Sequence, residues 1–369
     1  MKKKVVIGMS GGVDSSVAAV LLQKQGYEVI GLFMRNWDSS INNDYLGNPN
    51  LNNSICPQEN DYNDAKKVCD KLNIPLHRVD FVKEYWDFVF TYFLDELKKG
   101  RTPNPDIMCN KYIKFDLFIK EAKKLGCDYV ATGHYARLEN GNLLRGVDDN
   151  KDQTYFLSQL TKEQLNNILF PVGDIKKDEV RKIAEEYDLV TAKKKDSTGI
   201  CFIGERNFKE FLKNYLPNQP GDVIDIETSE VVGQHQGLMY YTIGQRKGLN
   251  IGGNSDKMFV VGKNLKKNIL YVSFGEDNDY LKSDSCLVED MNFISELRPK
   301  KATAKFRYRQ KDVDIEIEYL DNGKIIVHYD NVKSVTPGQA CVLYSGDECL
   351  GGGIIEEVRK NNQKLWYLL

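Results

Sequence analysis

Two familiar nucleotide signatures are missing from the chain. There is no GxxxxGK[ST] and no GxGxxG, so a P-loop is excluded and a dinucleotide-binding turn is weakened. None of the eight cysteines, at positions 56, 69, 109, 127, 201, 286, 341 and 349, forms a CxxC pair. That argues against a disulfide scaffold or a local zinc clip, assigns no metal site, and leaves isolated thiols as core filler or as chemistry. No apolar run is long enough for a signal peptide or a membrane span, so a cytoplasmic protein without a membrane partner is expected. Internal repeats and coiled-coil heptads are also missing. A net charge of −2 gives no global signature of nucleic-acid binding, so a local basic stripe must carry any such reading. At 369 residues the chain exceeds one small domain, and two or three are expected.

What is present begins with Val5-Val6-Ile7-Gly8-Met9-Ser10-Gly11-Gly12-Val13-Asp14-Ser15-Ser16. The apolar run suits a buried parallel strand, the glycines a turn, and Val17-Ala18-Ala19-Val20-Leu21-Leu22 a helix. Glycine lets backbone approach a ligand closely, while Ser and Asp side chains and unpaired helix N–H groups make an anion site aided by the helix dipole. A tight turn alone does not ask for Ser10, Asp14 and Ser15 together. The pattern SGGxDS resembles the PP-loop of the ATP pyrophosphatases, enzymes that cut ATP to AMP and pyrophosphate while adenylating a substrate oxygen. Residues 28–34 read as a second strand, which predicts a doubly wound parallel sheet with ligands at its carboxyl edge. Met34 falls at that edge, with an ordinary core methionine as the equal alternative.

Residues 38–63, rich in asparagine and holding Cys56, read as an exposed loop. Residues 64–72 have helical spacing, 75–80 read as a third strand, and 84–99 as an aromatic-rich helix capped by Gly100. In Gly100-Arg101-Thr102-Pro103-Asn104-Pro105-Asp106-Ile107-Met108-Cys109 two prolines stiffen the loop. Asp106 and Cys109 then share a face of a starting helix, unless they are a cap and a buried thiol. Thr132-Gly133-His134 ends another strand, where a histidine can face the cleft, and Lys151-Asp152-Gln153-Thr154 supplies polar groups or a cap before a helix. Asp196-Ser197-Thr198-Gly199-Ile200-Cys201 follows three lysines, a setting that exposes a thiol and favours its thiolate.

Past Pro217-Asn218-Gln219-Pro220-Gly221 helical periods give way to short alternating runs, an all-β region made of a small module and then a barrel. Residues 298–311 hold seven cations and no acid, interrupted by Phe306 and Tyr308. On a strand, Lys305, Arg307 and Arg309 would line one face as a phosphate-contacting stripe, or else guard a solvated edge.

Taken together, the motifs GMSGGVDSS, MRNW, GRTPNPDIMCN, ATGHYAR, KDQTYFL, DSTGICFIGER, GLMYYTIGQRKGL, KFRYRQ and TPGQACVLY make the chain similar, almost end to end, to the tRNA-specific 2-thiouridylase family. The opening loop alone marks a superfamily; the two cysteine motifs are far more specific. The resemblance implies an α/β fold: a doubly wound parallel sheet of the adenine nucleotide alpha hydrolase-like type over 1–210, a small tRNA-contacting module over 211–284, and a C-terminal β-barrel over 285–369. It implies ATP- and Mg²⁺-dependent thiolation of the wobble uridine of tRNA, with release of AMP and pyrophosphate. By that resemblance Gly8, Met9, Ser10, Gly11, Gly12, Val13, Asp14 and Ser15 would bind ATP phosphates, and Met34 and Gly133 would line the adenosine site. Cys201 would carry a persulfide delivered by a cysteine desulfurase or a sulfur-relay protein. Cys109 would assist sulfur release and leave a Cys109–Cys201 disulfide, with Asp106 as acid or base beside a uridine held by Asn104 and Pro105. His134, Lys151, Asp152, Gln153, Arg307, Tyr308 and Gln339 would contact tRNA. One departure is the asparagine-rich stretch at 45–54, longer than is usual in the family. Two rival readings share the opening loop: a synthetase adenylating a small carboxylate, and an RNA-binding protein with a vestigial nucleotide fold.

Overall fold

Strand β1 (Lys4–Gly8) sends Val5 and Ile7 into one apolar cluster and Val6 into another. A strand lying between two helix layers must divide its side chains in this way. β2 (Glu28–Arg35) repeats the division, with Phe33 on the first side and Leu32 and Met34 on the second. The computed structural model describes residues 2–50, 57–196, 199–201, 203–204, 206–249, 251 and 257–368, and the expectation for Cys56 lies outside them. β3 (Leu76–Asp80), β4 (Tyr129–Ala131) and, after a hairpin of β5 (Ala136–Glu139) and β6 (Asn142–Arg145), β7 (Ile168–Leu169) complete a parallel sheet ordered β3-β2-β1-β4-β7. The chain order reverses between β1 and β4, the place where such sheets bind ligands beyond their strand ends.

Helices α1 (Val13–Lys24) and α2 (Pro57–Leu72) cover the first face. On the second lie α3, running through Val82–Tyr85, Trp86–Phe90 and Thr91–Lys98, and α4, running through Pro105–Met108, Cys109–Leu117 and Phe118–Lys124. The middle stretch of each is π-helical, bonded i→i+5. α5 (Lys177–Glu186) returns to the first face and packs on α1. Among the described residues no helix is long and apolar enough to cross a membrane.

β8 (Gly221–Asp225), β9 (Val231–His235), β10 (Met258–Asn264) and β11 (Ile269–Phe274) form a central sheet ordered β10-β11-β8-β9. β12 (Lys282–Phe293), β13 (Lys301–Lys305), β14 (Val313–Tyr319), β15 (Ile325–Lys333), β16 (Ala340–Ser345) and β17 (Glu348–Lys360) follow. They pair in the cycle β12-β15-β14-β13-β16-β17, and β17 pairs back to β12, closing an antiparallel barrel. β6 joins β17 through Leu144 and Glu348, so the barrel is hydrogen-bonded to the N-terminal half.

Two expectations need correction. Of residues 38–63, those from Pro57 onward open α2, and Asn42 and Asp44 are buried rather than exposed. Asp44 accepts from Trp37 Nε1 (3.0 Å) and Arg206 Nη2 (2.7 Å), and Gly47 O accepts from Asn207 N–H (3.0 Å). A polar composition looked like a solvated loop, but here the polar groups satisfy one another inside the protein. The second correction concerns the basic stripe. β13 ends at Lys305 and residues 306–309 turn, so Lys305, Arg307 and Arg309 do not share a strand face. Arg307 Nη2 donates to Ile243 O (2.9 Å) and Ser334 O (2.8 Å), stapling the central module to the barrel. Arg307→Ala is therefore expected to cost about 2 kcal/mol in chemical denaturation. Arg298, Lys300, Lys301, Arg309 and Lys311 of the same stretch are exposed.

A buried lysine joins three parts of the molecule. Lys263 Nζ donates to Gly100 O (2.7 Å) and its N–H to Tyr367 O (2.8 Å). Burial pushes its pKa down to about 7, against about 10.4 for an unfolded lysine. Between those values the unfolded chain holds a proton that the folded chain lacks, so folding becomes more favourable as pH rises through the window. Below it the buried charge costs most. The stability of the protein relative to Lys263→Met should rise by about 1.4 kcal/mol per pH unit from about pH 7 to about pH 10. A constant difference in denaturation midpoints across that range contradicts this.

Candidate active site

β1 ends at Gly8 and α1 starts at Val13, so Met9, Ser10, Gly11 and Gly12 make the turn between them. Gly11 has φ +72°, and a Cβ there would lie 2.2 Å from Asp61 O, so only glycine fits. Ser10 N–H donates to Ser15 Oγ (3.2 Å), and the Ser15 hydroxyl donates to Gly12 O (3.1 Å). The turn thus curls over the first N–H groups of a 12-residue helix, where backbone and dipole favour an anion. Gly133 follows β4 and closes the other wall: its Cβ would lie 2.8 Å from Ser15 N. The strand ends at the switch point therefore share one crevice. Met34 sits near the end of β2 with its side chain in the second-face core.

A charged network backs this loop. Asp14 accepts from Tyr135 OH (2.7 Å) and Lys177 Nζ (2.8 Å), and Lys177 also pairs with Asp196 (2.8 Å). Asp196 meets Lys151 (2.7 Å) and Arg181 (3.0 Å) as well. Burial opposes its ionisation, but hydrogen bonds from Lys151 and Lys177 bring its pKa down to about 2. Three cations thus gather behind a backbone anion site, a donor set that fits a polyphosphate. Among the described residues no cluster of three or more His, Cys, Asp or Glu side chains is placed to hold a metal.

The second group of residues forms on α4. Asn104 Oδ1 accepts from Asp106 N–H (3.1 Å) and Ile107 N–H (3.4 Å), with Pro105 in the first turn, so the cap is Asn104. Asp106 is released for another task, and its Oδ1 accepts from Cys201 N–H (3.1 Å). Cys109 Sγ donates to Cys201 Sγ across 3.9 Å, both being free thiols. From α3, Tyr85 OH donates to Cys201 O (2.8 Å). Cys109 is buried and Cys201 half-buried. The hydrogen bond from Cys109 lowers the Cys201 pKa against the effect of burial, helped by the charge of Lys114. Burial, and then the donated bond, pushes Cys109 well up. Burial also raises Asp106, with the Cys201 N–H opposing. The pair is asymmetric, with the anion favoured on Cys201 and the proton on Cys109.

The remaining expected residues divide. His134 is buried, its Nδ1 sharing a hydrogen with Thr132 Oγ1 (2.7 Å), and burial followed by the Lys114 charge holds it well below the usual histidine range. Lys151 pairs with Asp196 as above. Asp152 accepts from Thr154 N–H (3.2 Å) and Gln153 Oε1 from Tyr135 N–H (3.0 Å), so both build the turn behind β4. Tyr308 packs on Phe156 with ring centroids 4.3 Å apart, and Asn110 Nδ2 of α4 donates to Phe156 O (3.3 Å). Gln339 Nε2 donates to Thr102 O (2.7 Å), tying the barrel to the loop before α4. Arg307 alone is turned into the module–barrel contact. Sequence reading missed Lys177, Tyr135, Tyr85 and Lys114. Only the last carried a visible signal, a charge between the buried Ile113 and Phe115.

Three family models match the chain in succession: the tRNA methyl transferase HUP domain over 3–205, the tRNA methyl transferase PRC-barrel domain over 209–274, and the aminomethyltransferase beta-barrel domain over 283–355. The tRNA-specific 2-thiouridylase MnmA of Mycoplasmopsis synoviae is 59% identical over 369 residues, spanning 100% of this chain and 99% of its own. That of Lysinibacillus sphaericus is 56% identical over 374 residues, spanning 99% and 97%. The chain belongs to the tRNA-specific 2-thiouridylase family. The parallel sheet, central module and barrel described above are the three parts of this 2-thiouridylase architecture. A solved NMN synthetase from Francisella tularensis matches at 19% identity and a TM-score of 0.32, over 53% of this chain and 67% of that one. It adds nothing to the 2-thiouridylase assignment.

Proposed function

We propose that the protein thiolates C2 of the wobble uridine of tRNA in the cytoplasm, at the expense of ATP, with sulfur passing through Cys201. The observation that carries this reading is the contact of Cys109 with Cys201 on the helix that packs against the anion loop, where Phe118 of α4 lies 3.5 Å from a Cβ built on Gly8.

A uridine C2 carbonyl is a poor electrophile because oxide leaves badly. In the proposed sequence O2 of the base attacks the α-phosphorus of ATP and pyrophosphate departs, with Gly8 to Ser15, Lys177 and Arg181 holding the phosphates. Mg²⁺, carried in on the phosphates, would supply charge neutralisation. The terminal sulfur of a Cys201 persulfide then forms a bond to C2, and AMP leaves with the oxygen. Cys109, as thiolate, attacks Sγ of Cys201. The S–S bond to the transferred sulfur breaks, its electron pair stays on that sulfur, and a Cys109–Cys201 disulfide remains for an external dithiol to reduce. Asp106, three residues before Cys109 on α4, is the base that takes the Cys109 proton. Reaching the base requires its extrusion from the anticodon stack, with Asn104, Pro105, His134, Tyr308 and Gln339 around it and Lys300 and Arg309 on the phosphates. A persulfide-bearing sulfur donor completes the partners.

The test is to incubate the protein with ATP, Mg²⁺, a sulfide source and unmodified tRNA, and to digest the RNA to nucleosides. 2-Thiouridine should appear together with AMP. RNA binding with no 2-thiouridine and no AMP supports the RNA-binding alternative instead.

A further inference from the structure

Lys177 and Arg181 stand one turn apart on α5, a spacing at which two cations on a helix repel each other. Both reach Asp196. Its Oδ1 accepts from Lys177 Nζ (2.8 Å) and Arg181 Nη2 (3.0 Å), and its Oδ2 accepts from Lys151 Nζ (2.7 Å). One carboxylate with both oxygens engaged by three cations is placed as a phosphate group is placed in a basic cradle. Lys177 also holds Asp14, in the first turn of α1, at 2.8 and 2.9 Å, so a single ammonium touches both the anion loop and Asp196. The other charges here are Asp148, which accepts the backbone N–H of Lys177 (2.9 Å), and Lys194, which is turned to Asp61 (2.8 Å) and Asp64 (2.6 Å). Asp14, Asp148 and Asp196 thus stand against Lys151, Lys177 and Arg181, and the charges of the cluster balance.

The two carboxylates that share Lys177 are held differently. Asp14 lies on a 12-residue helix and also accepts from Tyr135 OH (2.7 Å). Asp196 belongs to neither helix nor strand, and its side chain is 35% exposed. Ion pairs so open to water are weak, and their partners exchange readily.

We infer that Asp196 is a stand-in for phosphate: it holds Lys177 and Arg181 in the free protein and yields them to the polyphosphate of ATP. A triphosphate brings several negative charges where Asp196 brings one, so it takes both cations. ATP affinity is lowered by the worth of the contacts given up, and by reciprocity bound ATP loosens the hold on Asp196 by the same factor. Asp196 precedes Cys201 by five residues, so nucleotide and the thiol-bearing stretch draw on one pair of cations. The inference rests on the reading of the turn at Ser10 to Ser15 as a phosphate site, and is independent of sulfur transfer.

The test is calorimetric titration of the full-length protein with ATP and Mg²⁺, and separately with pyrophosphate and Mg²⁺, without tRNA. Asp196→Asn should bind both about tenfold more tightly than the parent, and Lys177→Met about tenfold more weakly. In a double-mutant cycle the gain from Asp196→Asn should fall below about threefold once Lys177 is Met, because the shared cation is gone. Equal or weaker binding by Asp196→Asn overturns the inference, since Asp196 would then only steady the cations. An undiminished gain in the Lys177→Met background also overturns it, because the charge would be acting at a distance, and so does a gain with ATP that pyrophosphate does not share. Asp196→Ser gives the same comparison should Asp196→Asn fold poorly. No binding by the parent or any variant overturns the inference together with the phosphate reading of the turn, whereas ATP binding and 2-thiouridine formation in the parent with no gain in Asp196→Asn discard the inference alone.

Discussion

Cys201→Ser should reduce 2-thiouridine formation by more than about a thousandfold, a loss typical of removing a covalent nucleophile, while ATP binding stays within about twofold of the parent. The two halves of that expectation come from different parts of the molecule. In the proposed reaction the phosphates lie against the turn at Ser10 to Ser15 and Lys177, whose hydrogen bonds run to one another, to Gly12 and to Asp14. Sulfur transfer in that reaction depends on the thiol contact at 3.9 Å. Serine keeps the Cys201 N–H bond to Asp106 and the carbonyl bond from Tyr85, so the segment should stay in place and the loss should be chemical. Cys109→Ser should behave differently. It leaves the persulfide position intact but removes the resolving thiol, so sulfur should become trapped as an adduct between Cys201 and the tRNA. Retained thiolation in Cys201→Ser, measured by nucleoside analysis, would show that sulfur does not pass through Cys201.

The second large effect is at Gly11. Gly11→Ala should weaken ATP binding by more than about a hundredfold, whereas Gly12→Ala should keep the loop. Both residues belong to the same motif, but their surroundings differ. A Cβ at Gly11 would lie 2.2 Å from the Asp61 carbonyl oxygen, and its φ of +72° costs an L-residue about 1–2 kcal/mol even before the clash. The obstacle is backbone on α2, which cannot swing aside, so the turn must open. At Gly12 φ is −100°, and the nearest atom to a built Cβ is Ser10 Oγ at 3.4 Å. Calorimetric titration with ATP separates the two variants; equal affinities would mean that the turn does not set the phosphate site.

Why one half of the site was legible and the other was not follows from distance along the chain. The anion loop is local: strand, glycine turn and helix start lie within Val5 to Leu22, and each is written in the residue types themselves. The parallel sheet was legible for the same reason. The meeting of Cys109 with Cys201, 92 residues apart, depends on how α4 lies on the second face, which no spacing encodes; only the family resemblance suggested it. At Asp44 and Arg206 the signal pointed the wrong way, because an ion pair sealed inside the protein has the composition of a loop in water. At residues 306–309 an alternating pattern continued past the end of its strand, and nothing in the cation spacing marked the turn that sends Arg307 inward.

The most direct test of sulfur passing from Cys201 with Cys109 as its resolving partner is a single turnover of protein carrying a persulfide on Cys201, with ATP, Mg²⁺ and unmodified tRNA and no added reductant. Nucleoside analysis and non-reducing peptide mapping are made on the same sample. The account predicts one Cys109–Cys201 disulfide for each 2-thiouridine formed. 2-Thiouridine formed while Cys109 remains a free thiol would contradict it.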